Sequence, residues 1–188
     1  MIINPKTLSY DKLSFLSKEQ LDNHKSLYLG YVGKVNEIRK KYSDIEFSNG
    51  NPTYNEQREL KLEEGFALNG VKLHELYFEN IDGDGNLSNK ISELLIKNFK
   101  SVENWQQEFI NLGLSSRGWV ILAQNSDGSV ENYICDMHNQ GGIWQAEPLL
   151  VLDVYEHAYF TDYGIRRKDY IAGFIGNINW NIVEKRIH

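Results

Sequence analysis

From Leu21 to Ile38 the apolar and aromatic positions Leu21, Tyr28, Tyr31, Val32, Val35 and Ile38 fall on one stripe at helical spacing. Ser17 with Gln20 three residues later has the form of a capping box, so the pattern predicts a helix from there to about Lys41. The stretch "SDIEFSNGNPTYNEQ" holds Gly50, Pro52 and several Asn and Ser, and reads as the loop between two helices. A second helical region, in one segment or two, runs from about Glu56 to Asn80. "NIDGDGNLSN" then breaks the pattern, and shorter amphipathic segments follow at "KISELLIKNF" and "VENWQQEFINLGLSS". Beyond them the period changes from that of a helix to that of a sheet. "GWVILAQN", "SVENYICD" and "PLLVLDV" have strand composition, with "SDGS" as a hairpin turn between the first two, and "RRKDYIAGFIGNINWNIVEKR" returns to helix. The expected class is therefore α+β. A long N-terminal α-helical hairpin (residues 1–85) precedes a C-terminal α/β lobe (residues 86–188) built on a small antiparallel three-stranded sheet.

Composition adds bounds to this picture. With 188 residues, 41% of them hydrophobic, the chain is long enough to bury a sizeable core. A net charge of −6 excludes nucleic acid and anionic membrane as the main partner, and no basic block reverses that. There is no run of about 18 apolar residues to span a bilayer and no uninterrupted apolar stretch near the N-terminus, so a soluble, cytoplasmic protein is expected. The single cysteine, Cys135, fits a reducing compartment and reads as a small core residue.

Candidate chemistry gathers around "LDVYEHAYF" at 152–160, where Asp153, Glu156 and His157 sit in apolar surroundings. Ionisable groups there need partners or a metal. Two of the other histidines lie on helical stripes: His24, within about 60° of Tyr28 and Tyr31 on one face, and His74 among Leu73, Leu76, Tyr77 and Phe78. Taken singly each reads as a core histidine. Three imidazoles and a carboxylate from a strand end together form a ligand set for a transition ion, with a position left for water or substrate.

These residues also carry a resemblance. "LDVYEHAYF" is similar to the D-V-W-E-H-A-Y signature of the iron/manganese superoxide dismutases. "HELYFEN", "RGWVIL", "HNQG" and "RRKDYIAGFIGNINWNIVEKR" resemble further segments of that family, in the family's order over nearly the whole chain. The resemblance implies disproportionation of superoxide to dioxygen and hydrogen peroxide at one iron or manganese ion per chain, lying between the two lobes. It implies His24, His74, Asp153 and His157 as the ligands, a homodimer with Glu156 at the interface, and a gateway tyrosine at Tyr31 or Tyr28. Gly70 lies in mid-helix, where it costs about 1 kcal/mol relative to alanine and gains meaning if another side chain must occupy the space; the manganese-type branch has glycine at this place. In that branch the glutamine bonded to the metal's solvent comes from the N-Q turn, here Gln140, with His138 as the alternative donor.

The chain also departs from the family pattern. Anchoring on "YVGKVN" would place the ligand histidine at Asn23 rather than His24, so a bulge or kinked start is expected in the first helix. Tyr155, Phe160 and Ile121 replace an expected tryptophan, tyrosine and tryptophan. A metal-binding protein of the same fold that lacks dismutase activity and serves storage, sensing or another oxygen reaction is the alternative reading. Arg166, Arg167 and Lys168 offer a positive rim that would steer superoxide, or simply a solvated helix start. Asn80, Asp82, Asp84 and Gly85 imitate a calcium loop, but Ile91 stands where its glutamate belongs, and the segment reads as a flexible polar linker.

Overall fold

The computed structural model describes residues 1–10 and 13–188. Two long helices, α1 (Lys18–Ser43) and α2 (Glu56–Asn80), are followed by α3 (Asn89–Phe99) and α4 (Val102–Ser115). Three strands come next, β1 (Trp119–Gln124), β2 (Val130–Cys135) and β3 (Glu147–Asp153). A 3₁₀ turn at Glu156–Ala158 leads to α5 (Phe160–Tyr163), α6 (Arg167–Gly176) and α7 (Trp180–Lys185). The four long helices each start on a side-chain cap, in which Ser17, Asn55, Ser88 and Ser101 accept from the backbone N–H three residues on. The predicted capping box at the first of these is only half made, because the Gln20 side chain is used elsewhere. The second helical region is one unbroken helix. The C-terminal stretch divides in two at Asn177–Asn179.

α1 and α2 pack as a hairpin through Tyr28, Val32, Val35 and Ile38 against Ala67 and Val71. The sheet has the order β2-β1-β3 and is antiparallel throughout. The central strand β1 is buried at all six positions, as a strand covered on both faces requires. Asn125, Gly128 and Ser129 close the β1–β2 hairpin, with Gly128 at a φ of 81° that suits glycine. Pro148 lies on the edge strand, where a missing N–H is tolerated. The acidic segment after α2 is not a loose linker. Gly83 N–H donates to the Asn177 carbonyl and Gly85 N–H to that of Ile178, and a Cβ at Gly83 would sit 2.3 Å from the Ile178 oxygen. The segment is fastened to the α6–α7 junction.

One side chain joins the hairpin to the sheet. Asn80, fully buried at the end of α2, accepts from Val151 N–H at 2.9 Å and donates to the Val151 carbonyl at 3.1 Å. Its amide thereby satisfies the open edge of β3 two residues before Asp153, and fixes the end of the helix that carries His74. Replacing it with an apolar residue of similar size leaves two buried backbone groups unpaired, each costing about 1–3 kcal/mol. Asn80→Leu is expected to lower the unfolding free energy by about 3 kcal/mol in denaturant titrations.

Candidate metal centre

Four segments bring their donors to one point. His24 comes from α1, His74 from α2, Asp153 from the last position of β3 and His157 from the 3₁₀ turn. One ligand atom from each lies within 4.8 Å of the other three. Asp153 Oδ2 is 3.1 Å from His24 Nε2, 3.3 Å from His157 Nε2 and 3.8 Å from His74 Nε2. The side chains of His24, His74 and Asp153 have no exposed surface, whereas that of His157 is 29% exposed and marks the open side.

Each donor is held from behind. The Tyr155 N–H donates to Asp153 Oδ1 at 2.9 Å and the Tyr170 hydroxyl to the Asp153 carbonyl at 2.7 Å. His74 Nδ1 donates to the Gly70 carbonyl at 2.6 Å, which leaves the Nε2 lone pair facing the cluster. That Nε2 has no hydrogen-bond partner although it is buried, and neither has His24 Nδ1. The Gln20 amide, 1% exposed at the start of α1, donates to the His157 carbonyl at 2.6 Å and accepts from Thr161 N–H at 3.0 Å. It ties the 3₁₀ turn to the helix that carries His24. Sequence reasoning gave Gln20 only a capping role; its place four residues before His24, beside Leu21 on the buried stripe, was the available signal.

Burial lowers the basicity of His24 and takes that of His74 down to about 3, so both rings are neutral at pH 7. Burial alone would raise the Asp153 carboxyl, but His157 and His24 outweigh it and hold it well below the ordinary carboxylate range. The neutral imidazoles of His24 and His74 beside an ionised carboxylate, with a buried nitrogen lone pair lacking a partner, fit a transition ion.

Around the cluster the turn and the tyrosine face are arranged as follows. Gln140 is exposed on its turn, and His138 takes the inner position at 4% exposure. A Cβ at Gly70 would lie 3.2 Å from the Tyr31 ring and 3.3 Å from His138 Cδ2, so the glycine makes room for these two rings rather than for a glutamine. His138 is 2.8 Å from the Tyr31 hydroxyl and accepts from the Trp119 indole at 3.0 Å. Tyr28, the other tyrosine on this face, is bonded elsewhere. Its hydroxyl donates to Glu75 and accepts from Lys6 N–H, each at 2.8 Å, and so is committed away from the cluster. Tyr31 has its ring 5.6 Å from that of His74. α1 carries no bulge, since the seven residues from His24 to Tyr31 make two turns and return both side chains to one face.

The replaced residues also find places. Tyr155 stacks on His157 with centroids 5.1 Å apart, and its hydroxyl donates to the Asp136 carbonyl. Ile121 lines a cavity of about 440 Å³ together with Cys135 and His138. Phe160 is exposed, as is Glu156. Of the basic run, Arg167 is engaged with the Tyr159 hydroxyl and the Ser116 carbonyl, and Arg166 with carbonyls of its own turn.

Fold and site together define a protein with a four-donor cluster that could hold a metal ion, in which a helical hairpin and a small-sheet lobe each supply two of the donors. The family model for the C-terminal domain of iron/manganese superoxide dismutases matches residues 87–186. The superoxide dismutase [Fe] of Aquifex aeolicus is 39% identical over 98% of this chain and 90% of its own length. That of Cupriavidus metallidurans is 33% identical over 90% of this chain and 87% of its own. A superoxide dismutase [Mn] of Haloferax volcanii is 33% identical over 60% and 58%. The chain belongs to the iron/manganese superoxide dismutase family, and is an enzyme of that family.

The site's titration has a consequence for the protein without its ion. On unfolding, His24, His74 and His138, whose basicity burial depresses, regain ordinary values near 6.5, so below that pH the unfolded chain takes up protons that the folded chain does not. Asp153 acts in the same direction at lower pH, since the stability that its depressed carboxyl confers is lost as pH falls through the acid range. The metal-free protein is therefore expected to lose stability between pH 7 and 5, at up to about 1.4 kcal/mol per pH unit for each such histidine. Urea unfolding of chelator-treated protein across that range checks this, and a flat profile would show that the rings are solvated.

Proposed function

We propose that the protein disproportionates superoxide to dioxygen and hydrogen peroxide, with His24, His74, Asp153 and His157 holding one iron or manganese ion. The observation that carries this reading is the convergence of three imidazole Nε2 atoms on one carboxylate oxygen in a buried site with one exposed side. The kinship with proteins named superoxide dismutase supports it. When bound, such an ion supplies a one-electron couple that oxidises one superoxide and reduces the next, a cycle that zinc lacks.

The protein's own groups do the rest. Trp119, Tyr77 and Phe78 pack around His74 and His24 with ring centroids about 5 Å away and keep bulk water from the donors. The Tyr31 hydroxyl, beside His74 and bonded to His138, is placed to meet an incoming anion and to give it a hydrogen bond. In this reading residues 1–85 and 86–188 are two lobes that share the ion. The exposed Glu156 and the partly exposed His157 lie on the face that a second subunit covers in a homodimer. No helix of the described residues is long and apolar enough to cross a membrane. The unpaired Cys135 thiol supports a cytoplasmic setting.

Metal analysis of the purified protein, paired with a superoxide-consumption assay after loading with iron or manganese, tests the reading. About one ion per chain and turnover with at least one of the two metals are expected; a filled site inactive with both would overturn it. His157→Ala should release the ion. Tyr31→Phe should keep it and slow turnover about tenfold, the scale of one lost hydrogen bond in the transition state.

A further inference from the structure

We propose that the cavity between α2 and the sheet binds an apolar α-amino acid as its zwitterion, with the side chain in the interior and the two charged groups between Lys72 and Glu147 at the mouth. The cavity has a volume of about 440 Å³, the size of a small-molecule site. Trp119 packs on His74 of α2, and Ile121, two residues further along β1, points to the same side of the sheet. Ile121 lines the cavity together with Leu73, Leu76, Cys135 and Pro148. Burial pushes the Cys135 thiol up to about 11, so it stays neutral. His138 also borders the space, but both of its ring nitrogens are bonded elsewhere, to the Trp119 indole and the Tyr31 hydroxyl. Such an interior favours an apolar body over a polar one.

The charges at the mouth select the rest of the ligand. Lys6 is 2.7 Å from Glu79 and 3.5 Å from Glu75, and Glu75 also takes the Tyr28 hydroxyl, so these groups are already compensated. The exposed side chains of Lys72 and Glu147 have neither an ion pair nor a hydrogen bond among the described residues. One stands on α2 and the other at the first position of β3, and they border the cavity with opposite charge. A lone carboxylate would meet Lys72 but be repelled by Glu147, and a lone amine would meet the reverse. An α-amino acid carries both charges on one carbon and directs its side chain away from that same carbon. It therefore matches two opposite charges above an apolar interior. None of the four metal donors lines this cavity, so the inference stands apart from the dismutase reading.

Equilibrium dialysis of radiolabelled L-phenylalanine against the full-length, metal-loaded protein tests the proposal. Saturable binding with a Kd below about 1 mM is expected. Phenylpropionate, which lacks the ammonium, phenethylamine, which lacks the carboxylate, and alanine, which lacks the apolar body, should each compete several-fold less well than unlabelled phenylalanine. Lys72→Met and Glu147→Gln should each weaken binding about fivefold, the scale of one exposed ion pair. Ile121→Trp, which fills the interior, should abolish binding at unchanged ion content. Absence of saturable binding up to about 10 mM overturns the proposal. So does competition by phenylpropionate or phenethylamine equal to that of phenylalanine, or binding that Ile121→Trp leaves unchanged. Where that variant fails to fold, the competition series on the unaltered protein decides alone.

Discussion

Asp153 is an ionised carboxylate with no exposed surface, fixed on one oxygen by the Tyr155 N–H and faced on the other by three imidazole nitrogens. Such a group is costly to bury without full compensation. The rings compensate it in part, and the Nε2 of His74, 3.8 Å away, makes no hydrogen bond to it. A cation at the meeting point would satisfy all four donors at once. Much of the architecture serves to hold these donors in place while that position is kept available.

The supports come from every layer of the fold. Asn80 binds α2 to the edge of β3, Gln20 binds α1 to the 3₁₀ turn, and Tyr170 reaches from α6 to the Asp153 carbonyl. The His24 and His74 helices are thus fastened to the chain segment that carries Asp153 and His157 by buried polar side chains. Apolar contact alone would allow sliding by a fraction of an ångström; hydrogen bonds with defined directions do not. The same economy appears beyond the donors. Trp119 packs on His74 and also donates to His138, and Gly70 accepts from His74 and also makes room for Tyr31.

His138 shows where reasoning along the chain loses resolution. It lies two residues from Gln140 on one tight turn, where Met137 and Gln140 form an isolated antiparallel bridge. Either side chain offers an acceptor and a donor, and spacing does not say which one the turn directs inward. The Trp119 indole and the space over Gly70 decide it. The same holds for Tyr28 and Tyr31, which share a helical face and are separated by contacts with Glu75 and Lys6 that lie far away in sequence.

The sequence by itself determined the class of fold, the order of helices and strands, the β1–β2 turn and the candidate donor set. These follow from periodicity, caps and residue chemistry, all of which are local. It also marked Gly70 as a place where another side chain needs space, because a glycine in mid-helix is unfavourable without such a reason. Only the tertiary structure decided which ring fills that space, that Gln20 bonds to the His157 carbonyl, that α1 needs no bulge and that the acidic segment after α2 is fastened down. Each of these depends on the direction of a hydrogen bond or the size of a gap between segments distant in the chain, and neither has a signature in the spacing of residues along it.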